Sequence, residues 1–386
     1  MRVRLAISNI LWSLVLVACF SAHAEDALNR DIHEEVLLLK VSAHDLNGVE
    51  TEGEITITTF RPDGDGPFPL VVISHGRDTK TRAQMGRSRF ESAARYFVRK
   101  GFAVAVPTRL GYGPTAALGD PETNGSKCSS ARYEAALEAS SSQIAATVKR
   151  LRQEPWVAPD RLLLVGQSVG GISTVAATAL KIPGLIAAVN FAGGHGGSPD
   201  THPGVPCNPP ALEKLYGKFG KTASAPMLWV YTENDLYFNP QHSQAWHAAF
   251  TTAGGRAEYR LLPAFGTNGH LLFSTGNNLW QPMLDDWLTQ FGFPRPGTLQ
   301  RPAPSSFAAL DDAGRVPFIK ATARTEGYEK FLAANPPRAF AVSEKGNWGF
   351  ATGEDDLLSR TLAFCQRKSG NPCKLYAVDN DVVWQP

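Results

Sequence analysis

The chain has 386 residues, of which 43% are hydrophobic and 19% are charged. This composition is typical of a globular protein and excludes a disordered chain, which would carry fewer apolar residues and more net charge. The formal net charge of +2 gives no reason to expect nucleic acid or an anionic membrane as a partner.

The first 24 residues have the pattern of a secretory signal peptide. Arg2 and Arg4 precede an apolar run at 11–20, and an Ala-His-Ala site follows it. We therefore expect cleavage before Glu25 and an exported protein, either periplasmic or secreted. Removal of this segment lowers the number of Lys and Arg from 38 to 36, which equals the number of Asp and Glu. The mature chain is then formally neutral.

A second processing route is also open. Residues 16–19 read Leu-Val-Ala-Cys, which resembles a lipoprotein box and would place a lipid anchor on Cys19. A membrane span is not expected, because the apolar run is shorter than the ~20 residues that a spanning helix needs.

Residues 25–292 alternate apolar runs with helix-like segments, which indicates an α/β domain with a mostly parallel sheet and helices on both faces. Two long loops are expected, at 109–130 and 193–225. The runs predicted to form strands are 36–39, 55–58, 70–73, 102–107, 161–165, 185–191, 227–231 and 259–262.

The end of the chain differs in composition from the main domain. Residues 293–304 are rich in proline and predict a linker. Residues 305–386 contain two cysteines, Cys365 and Cys373. We expect a small C-terminal module stapled by a disulfide.

The clearest chemical motif is Gly-Gln-Ser-Val-Gly at residues 166–170. It follows an apolar strand and opens a helix of small residues, which is the setting of a nucleophile elbow. Glycines flank the serine because larger side chains would clash in so sharp a turn. The motif predicts Ser168 as a catalytic nucleophile at a helix N-terminus, where developing negative charge is stabilised.

A serine nucleophile needs a general base and an orienting acid. His270 follows the last predicted strand in a Gly-rich loop, and Asp235 follows the strand before it. Their order along the chain after Ser168 is that of the Ser, acid, His pattern. Glu233, two residues before Asp235, is the alternative acid.

The oxyanion of the reaction needs two backbone N–H donors. One is expected from Val169, directly after the nucleophile. The other is expected from the loop after strand 70–73, at Gly76 or Arg77, and we favour the amide of Arg77. The His75 side chain is expected to hold this loop and to take no part in the chemistry.

These motifs resemble those of the dienelactone hydrolase family of α/β-hydrolases. The resemblance spans roughly residues 40–292 and includes the His75-Gly76 loop and Arg109-x-Gly-x-Gly, besides the serine, acid and histidine motifs. It implies hydrolysis of a carboxylic ester or lactone of a small molecule through an acyl-enzyme, with no metal or organic cofactor. The founding members of that family use a cysteine nucleophile, so their own substrate is not implied.

Four cysteines remain after removal of the signal segment, and an even number in an exported chain indicates two disulfides. Three pairings are possible. Cys365 and Cys373 can close a short loop, and Cys128 would then pair with Cys207 near the catalytic edge. Zinc is not expected, because the spacing of the cysteines is not that of a zinc site and the loop histidines His195 and His202 have no evident partner.

Two other functions fit the same residues. An exported peptidase or amidase could use the same triad, although the chain has no room for an N-terminal propeller domain. A catalytically silent binding protein is the alternative outside enzymology, and the complete triad argues against it.

Overall fold

The computed structural model describes residues 27–293, 299, 301–353, 356–367 and 370–386. The predicted signal peptide with Cys19 lies outside these residues, and so do positions 294–298 and 300 of the predicted linker. Among the described helices, none has the length and apolar character needed to cross a membrane.

Eight strands form one sheet with the order β1-β2-β4-β3-β5-β6-β7-β8. β1 and β2 form an antiparallel pair, β2 is antiparallel to β4, and the remaining pairs are parallel. The central segments of β3 to β7 are continuous apolar runs, because both faces of a parallel sheet are covered. The strands are β1 (Glu35–His44), β2 (Glu50–Phe60), β3 (Phe68–Ser74), β4 (Ala103–Thr108), β5 (Val157–Gln167), β6 (Leu185–Phe191), β7 (Met227–Thr232) and β8 (Ala257–Leu262).

Helices cover both faces of this sheet. α1 and α7 pack on one face, and α2 to α5 pack on the other, so that the sheet separates two apolar cores. The helices of this domain are α1 (Glu91–Arg99), α2 (Glu134–Leu151), α3 (Val169–Thr178), α4 (Pro209–Gly220), α5 (Pro240–Thr252), α6 (Leu272–Thr275) and α7 (Asn277–Thr289). This is the α/β-hydrolase fold, and the predicted fold class is confirmed.

The C-terminal residues form a second sheet, of order β10-β9-β11-β12, with its own apolar core. The Cys365–Cys373 disulfide ties α10 to the segment before β11. Ion pairs from Arg99 to Asp356 and from Arg367 to Glu91 connect this module to α1. Its elements are α8 (Ala321–Ala323), α9 (Glu329–Ala333), β9 (Arg338–Val342), β10 (Trp348–Thr352), α10 (Leu357–Gln366), β11 (Lys374–Val378) and β12 (Asp381–Val382).

The prediction of one long loop over 193–225 is wrong in its second half, where α4 forms. Pro209 begins this helix, and proline is compatible with the first turn because its missing N–H would have no helical partner there. Leu212, Leu215 and Tyr216 lie at helical spacing and are buried. Their packing against the core stabilises α4.

Because α3 approaches β3 closely at Gly170, we expect a single methyl group added at this position to lower the stability of the protein. A Cβ on Gly170 would lie 2.0 Å from the Ser74 carbonyl oxygen and 2.5 Å from that of His75. We expect Gly170→Ala to lower the free energy of unfolding by at least ~3 kcal/mol, because the clash is with backbone. Urea denaturation measures this loss.

The matched control is Gly217→Ala, whose Cβ would meet nothing closer than 3.6 Å. We expect this variant to gain ~0.5–1 kcal/mol from the better helix propensity of alanine. Equal stabilities of the two variants would contradict the packing described for α3.

Candidate active site

Ser168 occupies the sharp turn between β5 and α3. Its φ of 59° and ψ of −125° lie in a region that non-glycine residues rarely adopt. A Cβ on Gly166 would lie 2.0 Å from the Gly170 carbonyl oxygen, so the neighbouring positions accept only glycine. The turn places the Ser168 side chain at the carboxyl edge of the sheet, where the ligands of open α/β sheets bind.

Asp235 and His270 meet at the same edge. Nδ1 of His270 lies 3.1 and 3.0 Å from the two carboxylate oxygens of Asp235. Because a carboxylate can only accept, Nδ1 carries the proton, and in the neutral ring Nε2 is left with a lone pair. The amides of Tyr237 and Phe238 donate to Oδ1 of Asp235 at 2.8 and 3.0 Å and fix the carboxylate.

Two asparagines join the loops that carry the acid and the base. Oδ1 of Asn268 accepts the amides of His270 and Leu236 at 3.1 and 3.2 Å. Oδ1 of Asn234 accepts the Phe265 amide at 2.9 Å. The two loops are therefore held in one arrangement, independently of the Asp235–His270 hydrogen bond.

The serine and the histidine are connected through their neighbours. Nε2 of Gln167 donates to the His270 carbonyl oxygen at 2.9 Å. The His270 ring stacks on Tyr237 with ring centroids 4.1 Å apart, and Tyr237 lines the same cavity as Ser168. The described part of the chain contains no direct hydrogen bond between Ser168 and His270. Such catalytic contacts are often loose without substrate and tighten when it binds.

The loop after β3 passes directly beside the serine. A Cβ on Gly76 would lie 3.1 Å from Cβ and 3.6 Å from Oγ of Ser168. Nε2 of His75 accepts the Arg109 amide at 3.1 Å, so its Nδ1 carries the proton and donates to the Gly76 carbonyl oxygen at 2.6 Å. Burial and the neighbouring Arg109 charge lower the pKa of His75 to about 3. The neutral ring thus holds the loop.

A buried ion pair supports this loop from below. Arg109 donates to Glu122 at 2.5 and 3.1 Å and to the His75 carbonyl oxygen at 2.7 Å. Both side chains of the pair are fully buried. Burial alone would raise the pKa of Glu122, but the Arg109 charge and hydrogen bonds outweigh it and lower the pKa to about 2. The Tyr112 hydroxyl donates to the same carboxylate at 2.5 Å.

The side chain of Arg77 likewise has a structural role, because it is bonded to Asp120. Its guanidinium forms two parallel hydrogen bonds to Asp120, at 2.9 and 2.6 Å, and only 5% of the side chain is exposed. Arg77 and Val169 both line the cavity at Ser168. Their amides remain the candidates for the oxyanion donors.

The cavity at Ser168 has a volume of about 230 Å³. Residues 77–80 form one wall, and residues 195–200 form a second wall. Lys80 and Asp200 join the two walls at the surface with an ion pair of 2.9 Å. Burial and the Arg77 charge lower the pKa of His195, which lies in the second wall, to about 4.

A disulfide anchors the second wall. Cys128 and Cys207 are bonded, and Nε2 of His202 lies 3.8 and 3.7 Å from their sulfur atoms. Within the described residues, these three form the only group of possible metal ligands. While the sulfurs are bonded to each other, no thiolate is present to bind a metal.

No protein-family model and no curated protein matches the chain. Solved structures that resemble it include a candidate dienelactone hydrolase from Klebsiella pneumoniae, with 16% identity and a TM-score of 0.43, in a match that covers 67% of this chain and 98% of that one. A Pyrococcus furiosus esterase has 12% identity and a TM-score of 0.42, with 66% and 91% covered. A Pyrococcus horikoshii acylaminoacyl peptidase has 15% identity and a TM-score of 0.45, with 65% and 41% covered. The chain spans nearly all of the first two structures and under half of the peptidase.

Several residues at the site were not predicted from the sequence. Glu122 and Gln167 gave no signal, since only the folded loops bring their hydrogen-bond partners near. Asn234 and Asn268 lie one and two residues before the predicted site residues Asp235 and His270, and asparagine is common in such turns. This proximity in the sequence was the one indication that the two asparagines hold the loops of the site.

The buried pair predicts a pH-dependent loss of stability in Glu122→Gln. We expect a loss of ~3–5 kcal/mol at neutral pH, because Arg109 would be left as an uncompensated buried charge. The folded-state pKa of Glu122 lies near 2, below its usual 4.5. The stabilisation by the carboxylate is therefore complete above about pH 4.5 and is lost as the pH falls toward 2. Urea titrations at several pH values measure the difference from the wild type.

Glu35→Gln is the control, because the Arg61–Glu35 pair is partly exposed and 3.4 Å long. We expect this variant to change stability by less than ~1 kcal/mol. A Glu122→Gln protein as stable as the control variant would contradict the role given to the pair.

Proposed function

We propose that this protein is a serine hydrolase that cleaves small carboxylic esters or lactones through an acyl-enzyme on Ser168. The Asp235–His270 hydrogen bond, at the sheet edge where the elbow exposes Ser168, carries this proposal. It supplies an oriented base beside a hydroxyl that is otherwise a poor nucleophile.

In the first half of the reaction, Nε2 of His270 takes the proton of Ser168 as its oxygen attacks the carbonyl carbon. Asp235 stabilises the imidazolium that forms. The amides of Val169 and Arg77 donate to the oxyanion, and the N-terminus of α3 adds a favourable field. His270 then protonates the leaving alcohol.

In the second half, water enters the position of the alcohol. His270 removes a proton from this water, and the hydroxide attacks the acyl carbon. Collapse of the second tetrahedral intermediate returns the proton to Ser168 and releases the acid. Each step uses only side chains and amides of this chain.

The cavity favours a short, polar acyl group. Its volume of about 230 Å³ is below the ~300–1,000 Å³ of pockets that hold drug-sized molecules. The Lys80–Asp200 ion pair connects the two walls of this cavity at the surface. The cavity therefore supports ester or lactone cleavage over the peptidase alternative.

We further propose that the protein is exported and that the C-terminal module is a structural cap. Two disulfides are present, and such bonds persist in oxidising compartments. The ion pairs to α1 hold the module on the face of the sheet opposite to α2 to α5.

Replacement of the nucleophile tests the reaction directly. We expect Ser168→Ala to lower kcat for p-nitrophenyl acetate by ~10⁴-fold or more, because no other group can form the acyl-enzyme. Ser142→Ala, on the exposed side of α2, is the matched control and should leave turnover unchanged. Turnover of Ser168→Ala close to that of the wild type would refute the mechanism, and faster cleavage of an aminoacyl anilide than of the ester would favour the peptidase.

The identity of the acid is tested by two amide variants. We expect Asp235→Asn to lower kcat by ~10⁴-fold, since an asparagine amide cannot hold the required tautomer of His270. Glu233, in contrast, is exposed, and Glu233→Gln should leave kcat within about twofold of the wild type, because a solvated side chain does not orient the base. Steady-state kinetics on the same ester distinguish the two residues, and the opposite order of effects would assign the role to Glu233.

A further inference from the structure

The Cys128–Cys207 disulfide has an imidazole directly against it. Nε2 of His202 is 3.8 Å from one sulfur and 3.7 Å from the other. Nδ1 of His202 lies 2.5 Å from the Val205 carbonyl oxygen, which can only accept, so Nδ1 carries the proton. In the neutral ring, the lone pair of Nε2 therefore faces both sulfurs.

The two sulfurs differ in their accessibility. Cys128 is exposed, whereas Cys207 is only 9% exposed. A thiol from solution can reach Cys128, and attack there makes Cys207 the leaving group. A leaving thiolate beside an imidazole that can give it a proton departs faster.

The disulfide and His202 contact the residues that form one wall of the cavity. The Cys207 amide donates to the Gly196 carbonyl oxygen at 2.9 Å, and a Cβ on Gly196 would lie 3.1 Å from Cys207 Cβ. The His202 amide donates to the Ser198 carbonyl oxygen at 3.0 Å. Gly196 and Ser198 both line the cavity at Ser168. A break in the disulfide therefore frees the wall that faces the nucleophile.

We propose that Cys128, Cys207 and His202 form a thiol-exchange site, at which a dithiol reduces the disulfide and thereby weakens hydrolysis at Ser168. The effect on hydrolysis rests on the proposed function, whereas the exchange chemistry does not. The geometry of the three side chains and their bonds to the wall carry the inference.

The exchange balances in two steps. His202 takes the proton of the first thiol, whose sulfur bonds to Cys128, and the Cys128–Cys207 bond breaks. The electron pair leaves on Cys207, which receives the proton from His202. The second thiol of the reductant then attacks the mixed disulfide and releases Cys128 as a thiol. The dithiol loses two hydrogens and becomes a disulfide, and the two cysteines gain them.

The test treats the full chain with dithiothreitol and follows each bridge by timed alkylation and mass spectrometry. We expect the Cys128–Cys207 bridge to open first, and His202→Gln to slow its opening at least ~tenfold, because the proton relay is lost. The Cys365–Cys373 bridge, with Cys365 only 2% exposed, is the internal standard and should open at the same rate in both proteins. An unchanged rate for Cys128–Cys207 in His202→Gln would overturn the exchange site.

Ester hydrolysis is measured on the same samples. We expect kcat/KM for p-nitrophenyl acetate to fall on the order of tenfold on reduction, because the displaced wall misplaces the substrate, and to recover on reoxidation. A Cys365→Ser/Cys373→Ser protein should keep this response, and a Cys128→Ser/Cys207→Ser protein should lose it. Reduced protein with unchanged kcat/KM would overturn the coupling, while an oxidised wild type inactive on all esters would count against the proposed function and leave the alkylation rates to judge the exchange site.

Discussion

The turn at Ser168 is the constraint on which the site depends. A positive φ at a serine costs free energy, so the turn persists only where its surroundings allow no alternative. Here the carbonyl groups of Ser74 and Gly170 lie where the side chains of Gly170 and Gly166 would otherwise be, and α3 is fully buried behind the turn. The packing of α3 against the sheet thus supplies the free energy that keeps Ser168 in this strained conformation, with its hydroxyl exposed at the turn.

Polar groups do the remaining positioning, at some distance from the reacting atoms. The Arg109–Glu122 pair and the neutral His75 fix the position of the loop at Gly76. Asn234 and Asn268 fix the loops that carry Asp235 and His270. Buried ion pairs of this kind contribute little net stability compared with apolar packing, but the loss of one partner is costly. We interpret the network as a device that specifies one arrangement of the loops around the cavity.

The strands and the sharp turn at Ser168 could be predicted from the sequence because both depend on local patterns. An apolar run buried on both faces is recognisable without its neighbours, and the elbow carries its own glycines. Asp235 and His270 were predicted from their order along the chain, and the structure brings them into contact. α4 was missed in the sequence, and in the structure it buries Leu212 and Tyr216 against the core of the domain. The side chains that contact Arg109 and His202 depend on how the loops at 109–130 and 193–225 fold, and no local sequence pattern specifies this.

We propose that the fold makes one serine hydroxyl of this chain reactive. Labelling of the intact protein with a fluorophosphonate, followed by peptide mapping, tests it without knowledge of the substrate. We expect one adduct per chain, located on Ser168. A folded protein that takes up no label at neutral pH, or that carries the label on another residue, would contradict the proposed role of Ser168.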